Sequence, residues 1–368
     1  MVDPRNAAEQ CLESITDNII QSMAHHIAVI DLKGKILIVN SAWSDYTRLN
    51  GGDPEETGVG SNYFSVSDRE TVRQISMVLD GTVDRVVIEY PCHAPREKRW
   101  FAMNVTPLMD GNKKNIIGAV ITHMDVTDRK LLEIRQQKDL EMARTIQKRV
   151  VMDPIEQNEI TIKGFYLASD QLSGDLYAWY KINDHQYGVI LLDIMGHGVT
   201  AGMISMAIRS MLEGIITEEI EPEKVYLKLN EQFHKFLKSG KGYKNFFCTG
   251  IYMLIDMNEK VISYINAGHP GGIGLSGKES FILRSANPPI GLSKDPNVTA
   301  DRVQVSENTR VLLYTDGLTD SMGLRINEGE TYILQEMRLN EDVHEHFEKI
   351  VSNLNRKDDI AIVSISFD

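Results

Sequence analysis

Asp193 closes an apolar run, Tyr187-Gly188-Val189-Ile190-Leu191-Leu192, and is followed by Ile194, Met195 and Gly196-His197-Gly198 before a helix begins near Val199. An apolar run bounded by turn residues predicts a buried strand. The two glycines allow a turn that residues with a Cβ resist. A carboxylate held rigidly at a strand end suits a metal or catalytic site. Upstream, Ser173-Gly174-Asp175 precedes a strand predicted over residues 176–182, with a turn at Asn183-Asp184-His185-Gln186. If these two strands form a hairpin, its centre falls near Asp184, and Asp175 and Asp193 oppose each other at its open end. Opposed residues of an antiparallel pair lie about 4.5–5.5 Å apart. Two carboxylates there repel unless a proton or a cation lies between them.

The arrangement recurs. Residues 310–315 read as a strand ending at Asp316-Gly317, and Asp358-Asp359 precedes a strand over residues 360–367. Antiparallel pairing of those strands would set Asp316 and Asp358 on one edge. Any single aspartate here could be an ordinary turn residue; four at strand ends form an oxygen-only cluster. Hard divalent cations, Mg²⁺ or Mn²⁺, take that ligand set. Two such ions about 3.5–4 Å apart can clamp a phosphate ester and activate a water.

Ser-Gly-Asp-Leu-Tyr, Leu-Leu-Asp-Ile-Met-Gly-His-Gly, Asn-Ala-Gly-His-Pro, Tyr-Thr-Asp-Gly-Leu-Thr-Asp and Asp-Asp-Ile-Ala-Ile-Val occur in that order. This series resembles the metal-dependent protein phosphatase (PPM, PP2C-like) superfamily, in its branch of bacterial sporulation and sigma-factor-regulating phosphatases (SpoIIE, RsbU and RsbP type). The resemblance implies two packed antiparallel sheets flanked by helices, with two ions at one end. It implies that Asp193 bridges both ions and the Ile194 carbonyl ligates one. Asp316 and Asp358 would hold the second, and Asp175 the first, directly or through water. Asp359 is a neighbouring candidate; His197, Asn266, His269 and Asp320 are candidates for substrate contact or support of the ligands. For His197 and His269 a purely structural role in a tight turn stays open. The implied reaction is hydrolysis of phosphoserine or phosphothreonine by a metal-activated water, with no phosphoenzyme. The first motif departs from the family's usual Gly-Gly-Asp-Phe-Tyr-Asp, with Ser173 for the first glycine and Ala178 for the last aspartate.

These residues need elements to position them. In the last 216 or so residues, 153–368, helices are expected over 203–217, 223–237 and 340–353, and a hairpin over 249–255 and 261–265. Gly240-Lys241-Gly242-Tyr243-Lys244 reads as a flexible basic loop. Residues 1–126 open with an amphipathic helix over 7–23, then a hairpin around Leu32-Lys33-Gly34-Lys35, a helix start at Asn40-Ser41-Ala42-Trp43, and strands near 83–90, 99–107 and 115–125. With the closing Asp125-Val126-Thr127-Asp128-Arg129-Lys130, this order resembles a PAS sensor domain. The sensor ligand is not readable, nor whether there is one; His25, His26, His93 and His123 are possible haem ligands or plain solvated and core histidines. Residues 127–152 read as a connector helix, capped by Thr127 or Asp128, with an imperfect coiled-coil seam of Leu132, Leu140, Ala143 and Val150 that Gln136 and Gln147 interrupt. Its Ala-x-x-Ile-Gln segment, Ala143 to Gln147, resembles the regulatory element before the catalytic domain in bacterial stress-response phosphatases.

The formal charge of −13 argues against a nucleic-acid footprint. Cys11, Cys92 and Cys248 are too scattered for a disulfide framework or a zinc site. No apolar run is read as long enough for a membrane span, and no signal-peptide core is seen, so a cytoplasmic setting is expected. The fold class is α+β, and the reading is a PAS-regulated phosphatase. By resemblance its substrate is a phosphorylated STAS-domain anti-sigma-factor antagonist, and the chain pairs as a homodimer through sensor and connector. The rival readings are an inactive phosphoprotein-binding scaffold and a PAS-coupled nucleotide cyclase. A histidine kinase is disfavoured, because residues 127–152 hold no phosphoacceptor histidine.

Overall fold

Capping side chains and strand alternation set the architecture of two units, Met1–Gln137 and Lys138–Asp368. The computed structural model describes residues 14–93, 97–157, 159–238, 246–354 and 357–367. The basic loop at 240–244 and the first part of the N-terminal helix lie outside the described residues. In the first unit, α1 covers residues 14–22. A hairpin of β1 (His26–Asp31) and β2 (Ile36–Val39) follows, its turn closed by the Asp31 carboxylate, which accepts from the Lys33 and Lys35 amides. Asn40 caps α2 (Ser41–Leu49) by accepting from the Trp43 amide, as its place before the helix predicted. Then come α3 (Pro54–Thr57), α4 (Arg69–Leu79), β3 (Val86–Pro91), β4 (Trp100–Met109) and β5 (Ile116–Asp125). The strands make one antiparallel sheet, β2-β1-β5-β4-β3. Ile30, Met103, Val105 and Ile121 on its inner face pack with Ile75 and Val78 of α4. The connector is one helix, α5 (Thr127–Arg149).

The second unit holds β6 (Ile155–Gln157), β7 (Ile160–Leu167), β8 (Leu176–Lys181), β9 (Gln186–Ile194), α6 (Val199–Glu219), α7 (Pro222–Lys238), β10 (Cys248–Asp256), β11 (Val261–Ala267), β12 (Gly272–Ser276), β13 (Glu279–Leu283), β14 (Asp301–Gln304), β15 (Thr309–Tyr314), α8 (Asp316–Met322), α9 (Ile326–Leu339), α10 (Val343–Ser352) and β16 (Ile360–Phe367). Two antiparallel sheets form, β14-β11-β10-β9-β8 and β13-β12-β15-β16-β7-β6. Trp179, Val189, Leu191 and Met253 of one sheet meet Val311, Leu313 and Val363 of the other in the central core. On the outer faces, α6 and α7 cover Ile190 and Leu192, while α9 and α10 cover Leu312 and Ile362. This is the expected pair of antiparallel sheets flanked by helices. One expectation is corrected: α6 is long and apolar enough to cross a membrane. Here its Ile204, Ile208, Leu212 and Ile216 are buried in the protein core instead.

Candidate functional site

Side chains two apart on a strand share a face. Asp193 is therefore in phase with Val189 and Leu191, whose side chains fill the space between the sheets. Thr249 is in phase with Ile251 and Met253 in the same way. Apolar residues line the space between the sheets, and polar ones take over at its mouth. Leu176 pairs with Leu192, so the next step brings Asp175 opposite Asp193, as the hairpin count predicted. β15 and β16 are antiparallel neighbours, with Tyr314 opposite Ile362, which puts Asp316 and Asp358 at the same sheet end. A Cβ on Gly317 would lie 1.9 Å from the Asp359 carbonyl oxygen, so only glycine lets the first turn of α8 sit against the chain entering β16.

The four aspartates repel one another. Burial, and after it the Asp193 charge, holds the Asp175 carboxyl well above the ordinary carboxylate range. Burial, then Asp316 and Asp358, pushes Asp193 up to about 7. Asp316, exposed at the lip, is raised by partial desolvation and by Asp358, and the half-buried Asp358 by desolvation and by Asp359. None of the four makes a salt bridge among the described residues. As they stand, no three carboxylate, imidazole or thiolate groups among the described residues close into a set that would hold an ion. The donor chemistry nevertheless fits a hard cation, because a divalent charge would remove the repulsion that now favours protonated carboxyls.

Around this cluster lies a shell of hydrogen bonds between groups far apart in sequence. The Thr315 hydroxyl donates to Asp175 Oδ2 at 2.7 Å, and the Thr249 hydroxyl to Asp193 Oδ2 at 3.3 Å. His269 is buried with Nδ1 3.2 Å from the Thr249 hydroxyl, and burial lowers its pKa to about 3, so the ring is neutral. Asn266 braces its turn, its Oδ1 accepting from the His269 amide and its Nδ2 donating to the Leu283 carbonyl. Asp359 accepts from the Ser169 amide and hydroxyl on one oxygen and from the Gly174 amide on the other, which clamps the loop that carries Asp175. From the connector, Gln147 grips the same loop, donating to the Ser173 carbonyl and accepting from the Ser173 amide. The glutamine that interrupts the apolar seam is thus a docking residue. The Ile194 carbonyl borders this loop, since a Cβ on Gly174 would approach it to 3.1 Å. His197 is exposed, near enough to Asp358 to favour its charged form. Asp320 is exposed and lies within electrostatic reach of Asp316 and Asp358. Thr249, Thr315 and Ser169 were not singled out from sequence. The usable signal was a hydroxyl in an inward position of strands otherwise apolar on that face.

In the first unit, His26 and His123 are register partners on β1 and β5, and both line a cavity of about 240 Å³ with Trp43, Tyr46, Tyr90 and Phe101. Both ring nitrogens of His123 are taken by tyrosine hydroxyls, Nε2 by Tyr63 at 3.0 Å and Nδ1 by Tyr90 at 2.7 Å. His25 and His93 are exposed and do not line it.

Residues 183–368 match the family model described as Stage II sporulation protein E (SpoIIE). The chain belongs to the SpoIIE family. Its SpoIIE region contains Asp193, Asp316 and Asp358, while Asp175 lies just upstream of the matched residues. Residues 21–131 match the PAS fold. The SpoIIE chain is 37% identical over 190 residues to phosphoserine phosphatase RsbP of Bacillus subtilis (strain 168), covering 51% of this chain and 47% of RsbP. It is 39% identical over 122 residues to an uncharacterized 104.1 kDa protein of Rhodobacter capsulatus, covering 30% of this chain and 12% of that one. The chain thus spans about half or less of the length of these relatives. Among solved structures, the SiaA-PP2C domain of Pseudomonas aeruginosa superposes with a TM-score of 0.54 at 18% identity, covering 64% of this chain and 99% of that domain. That likeness shows a PP2C-type fold.

Proposed function

We propose that this SpoIIE-family chain is a sensor-regulated, Mn²⁺- or Mg²⁺-dependent protein phosphatase acting on phosphoserine or phosphothreonine. The observation that carries the reading is the mouth between the sheets, where four mutually repelling aspartates have no basic partner among the described residues. In this reading Asp175, Asp193, the Ile194 carbonyl, Asp316 and Asp358 would together hold two ions. When bound, such ions supply Lewis-acid polarisation of a phosphoryl oxygen and a water acidic enough to react near neutral pH. The chain's own residues hold the carboxylates apart, exclude bulk water from the inner pair, and fix their orientation through Thr249, Thr315 and Asp359. We assign His197, on the exposed lip, to substrate contact.

The kinship with a phosphoserine phosphatase supports a phosphoprotein substrate, and we assign it to a phosphorylated STAS-domain antagonist of an anti-sigma factor. We place the protein in the cytoplasm, its described cysteines Cys92 and Cys248 being free thiols. We divide it into a sensor (1–126), a connector (127–152) that pairs two copies as a coiled coil, and a catalytic region (153–368). The sensor cavity falls between the ~150 Å³ that accepts benzene and the ~300 Å³ at which drug-sized pockets begin. A planar ligand of one or two rings matches that size and the aromatic lining.

The test is hydrolysis of p-nitrophenyl phosphate by the full chain with Mn²⁺, with EDTA, and in Asp193→Asn. Activity should need the metal and fall at least about a hundredfold in the variant, the loss of several kcal/mol of charge stabilisation. Mn²⁺ binding without turnover would favour a phosphoprotein-binding scaffold; no Mn²⁺ binding would overturn the reading of the four aspartates.

A further inference from the structure

We propose that Thr249 and Thr315 are positioning residues for the inner carboxylate pair, each hydroxyl fixing one oxygen of an aspartate so that the other oxygen is presented to a divalent ion. The inference deepens the metal reading above and rests on it. Its basis is three directed hydrogen bonds and one imidazole contact. The Ala361 amide donates to the Thr315 oxygen at 2.8 Å, and an amide can only donate. The Thr315 hydroxyl proton then goes to Asp175 Oδ2, 2.7 Å away, in preference to the Ala361 carbonyl at 3.4 Å. At Thr249 the partner is His269 Nδ1, 3.2 Å away, and Asp193 Oδ2 is on the other side. Once a cation holds Asp193 ionised its carboxylate can only accept, and the Thr249 proton goes to it when His269 carries its own proton on Nδ1, whose N–H the threonine oxygen then takes. At Thr315 a fixed donor behind the hydroxyl turns it to the carboxylate, and at Thr249 the Nδ1-protonated tautomer of His269 would do the same.

The two hydroxyls also come from opposite sheets. Thr249 lies on β10 directly opposite Asp193 on β9. Thr315 follows β15 of the other sheet and reaches across to Asp175, which precedes β8. One donor thus stays within a sheet while the other ties the two sheets together at the mouth. Each threonine occupies a position whose neighbours two and four residues away along the strand, Ile251 and Met253 or Leu313 and Val311, are core residues. Packing alone would place valine, the same shape without the hydroxyl, at both. Hydrogen-bond partners of ligating side chains set ligand orientation, and their loss costs about 10–100-fold in metal affinity.

The experiment measures Mn²⁺ affinity of the full chain by electron paramagnetic resonance, for wild type, Thr249→Val, Thr315→Val and the matching serine variants, with metal-free melting curves alongside. The valine variants should bind Mn²⁺ about tenfold or more weakly, and the serine variants should bind within a few fold of wild type. Where valine prevents folding, Thr→Ala gives the same comparison without added bulk. Valine variants that bind like wild type overturn the proposal alone, and so do serine variants as weak as valine ones. Wild-type protein that binds no Mn²⁺ overturns the metal reading and this proposal with it.

Discussion

Tyr63 and Tyr90 hold both nitrogens of His123 in the wall of the sensor cavity. A neutral imidazole offers one N–H and one lone pair, so one tyrosine donates and the other accepts. Burial, with a smaller contribution from His26, lowers the His123 pKa to about 4. The unfolded chain titrates near 6.5. Between those values the unfolded state binds a proton that the native state does not, so stability falls as the pH drops below about 6.5. The fall amounts to about 2 kcal/mol between pH 7.5 and 5. His123→Gln should be less stable than wild type at pH 7.5, because it cannot serve both hydroxyls as well, but should lose about 2 kcal/mol less on acidification. Urea titrations at the two pH values give both numbers. Equal losses in the two proteins would mean that the folded site already accepts the proton.

At the scale of elements, the junction of β15 and α8 tolerates nothing larger than Gly317. Gly317→Ala would drive a methyl into the Asp359 carbonyl, backbone that cannot yield without moving β16. Overpacking of this kind costs on the order of 3 kcal/mol, and Asp316, the preceding residue, would be displaced with it. A melting curve reports the first effect and Mn²⁺ affinity the second; a variant with wild-type values for both would show that the junction has slack. The same junction marks how far the sequence was legible. Apolar runs ending in aspartate located β9 and β15, and the turn at 183–186 fixed the register that sets Asp175 against Asp193. Local pattern was enough there because each signal sits within one hairpin. It failed for α4, which buries only Ile75 and Val78. It also missed β12, whose Gly272 and Gly274 make room for the side chains of Leu313 and Phe281. Asp359 was a candidate only for standing beside Asp358; its carboxylate accepts from Ser169 and Gly174, about 190 residues earlier, a pairing that no local pattern encodes. Gln147 looked like a flaw in a coiled-coil seam for the same reason.

At the scale of the whole molecule, the end of the connector helix that belongs to the catalytic unit grips that unit specifically. Gln147 makes two hydrogen bonds to Ser173, two residues before Asp175, and it is buried there. Asp359 holds the same loop from within the unit. The loop is therefore clamped at two points, of which the connector supplies one. Two truncations separate the sensor from that clamp. A fragment of residues 138–368 keeps Gln147, whereas one of residues 151–368 loses it and leaves the Ser173 amide and carbonyl without their side-chain partner. The longer fragment should bind Mn²⁺ within a few fold of the full chain, and the shorter about tenfold more weakly. The shorter should also melt lower, by the roughly 1–3 kcal/mol that buried polar groups cost when left unpaired. Circular dichroism at saturating Mn²⁺ checks that both fragments fold. Equal affinities would show that Asp359 holds the loop without help from Gln147. Unequal affinities would show that the docking of one glutamine supports metal binding.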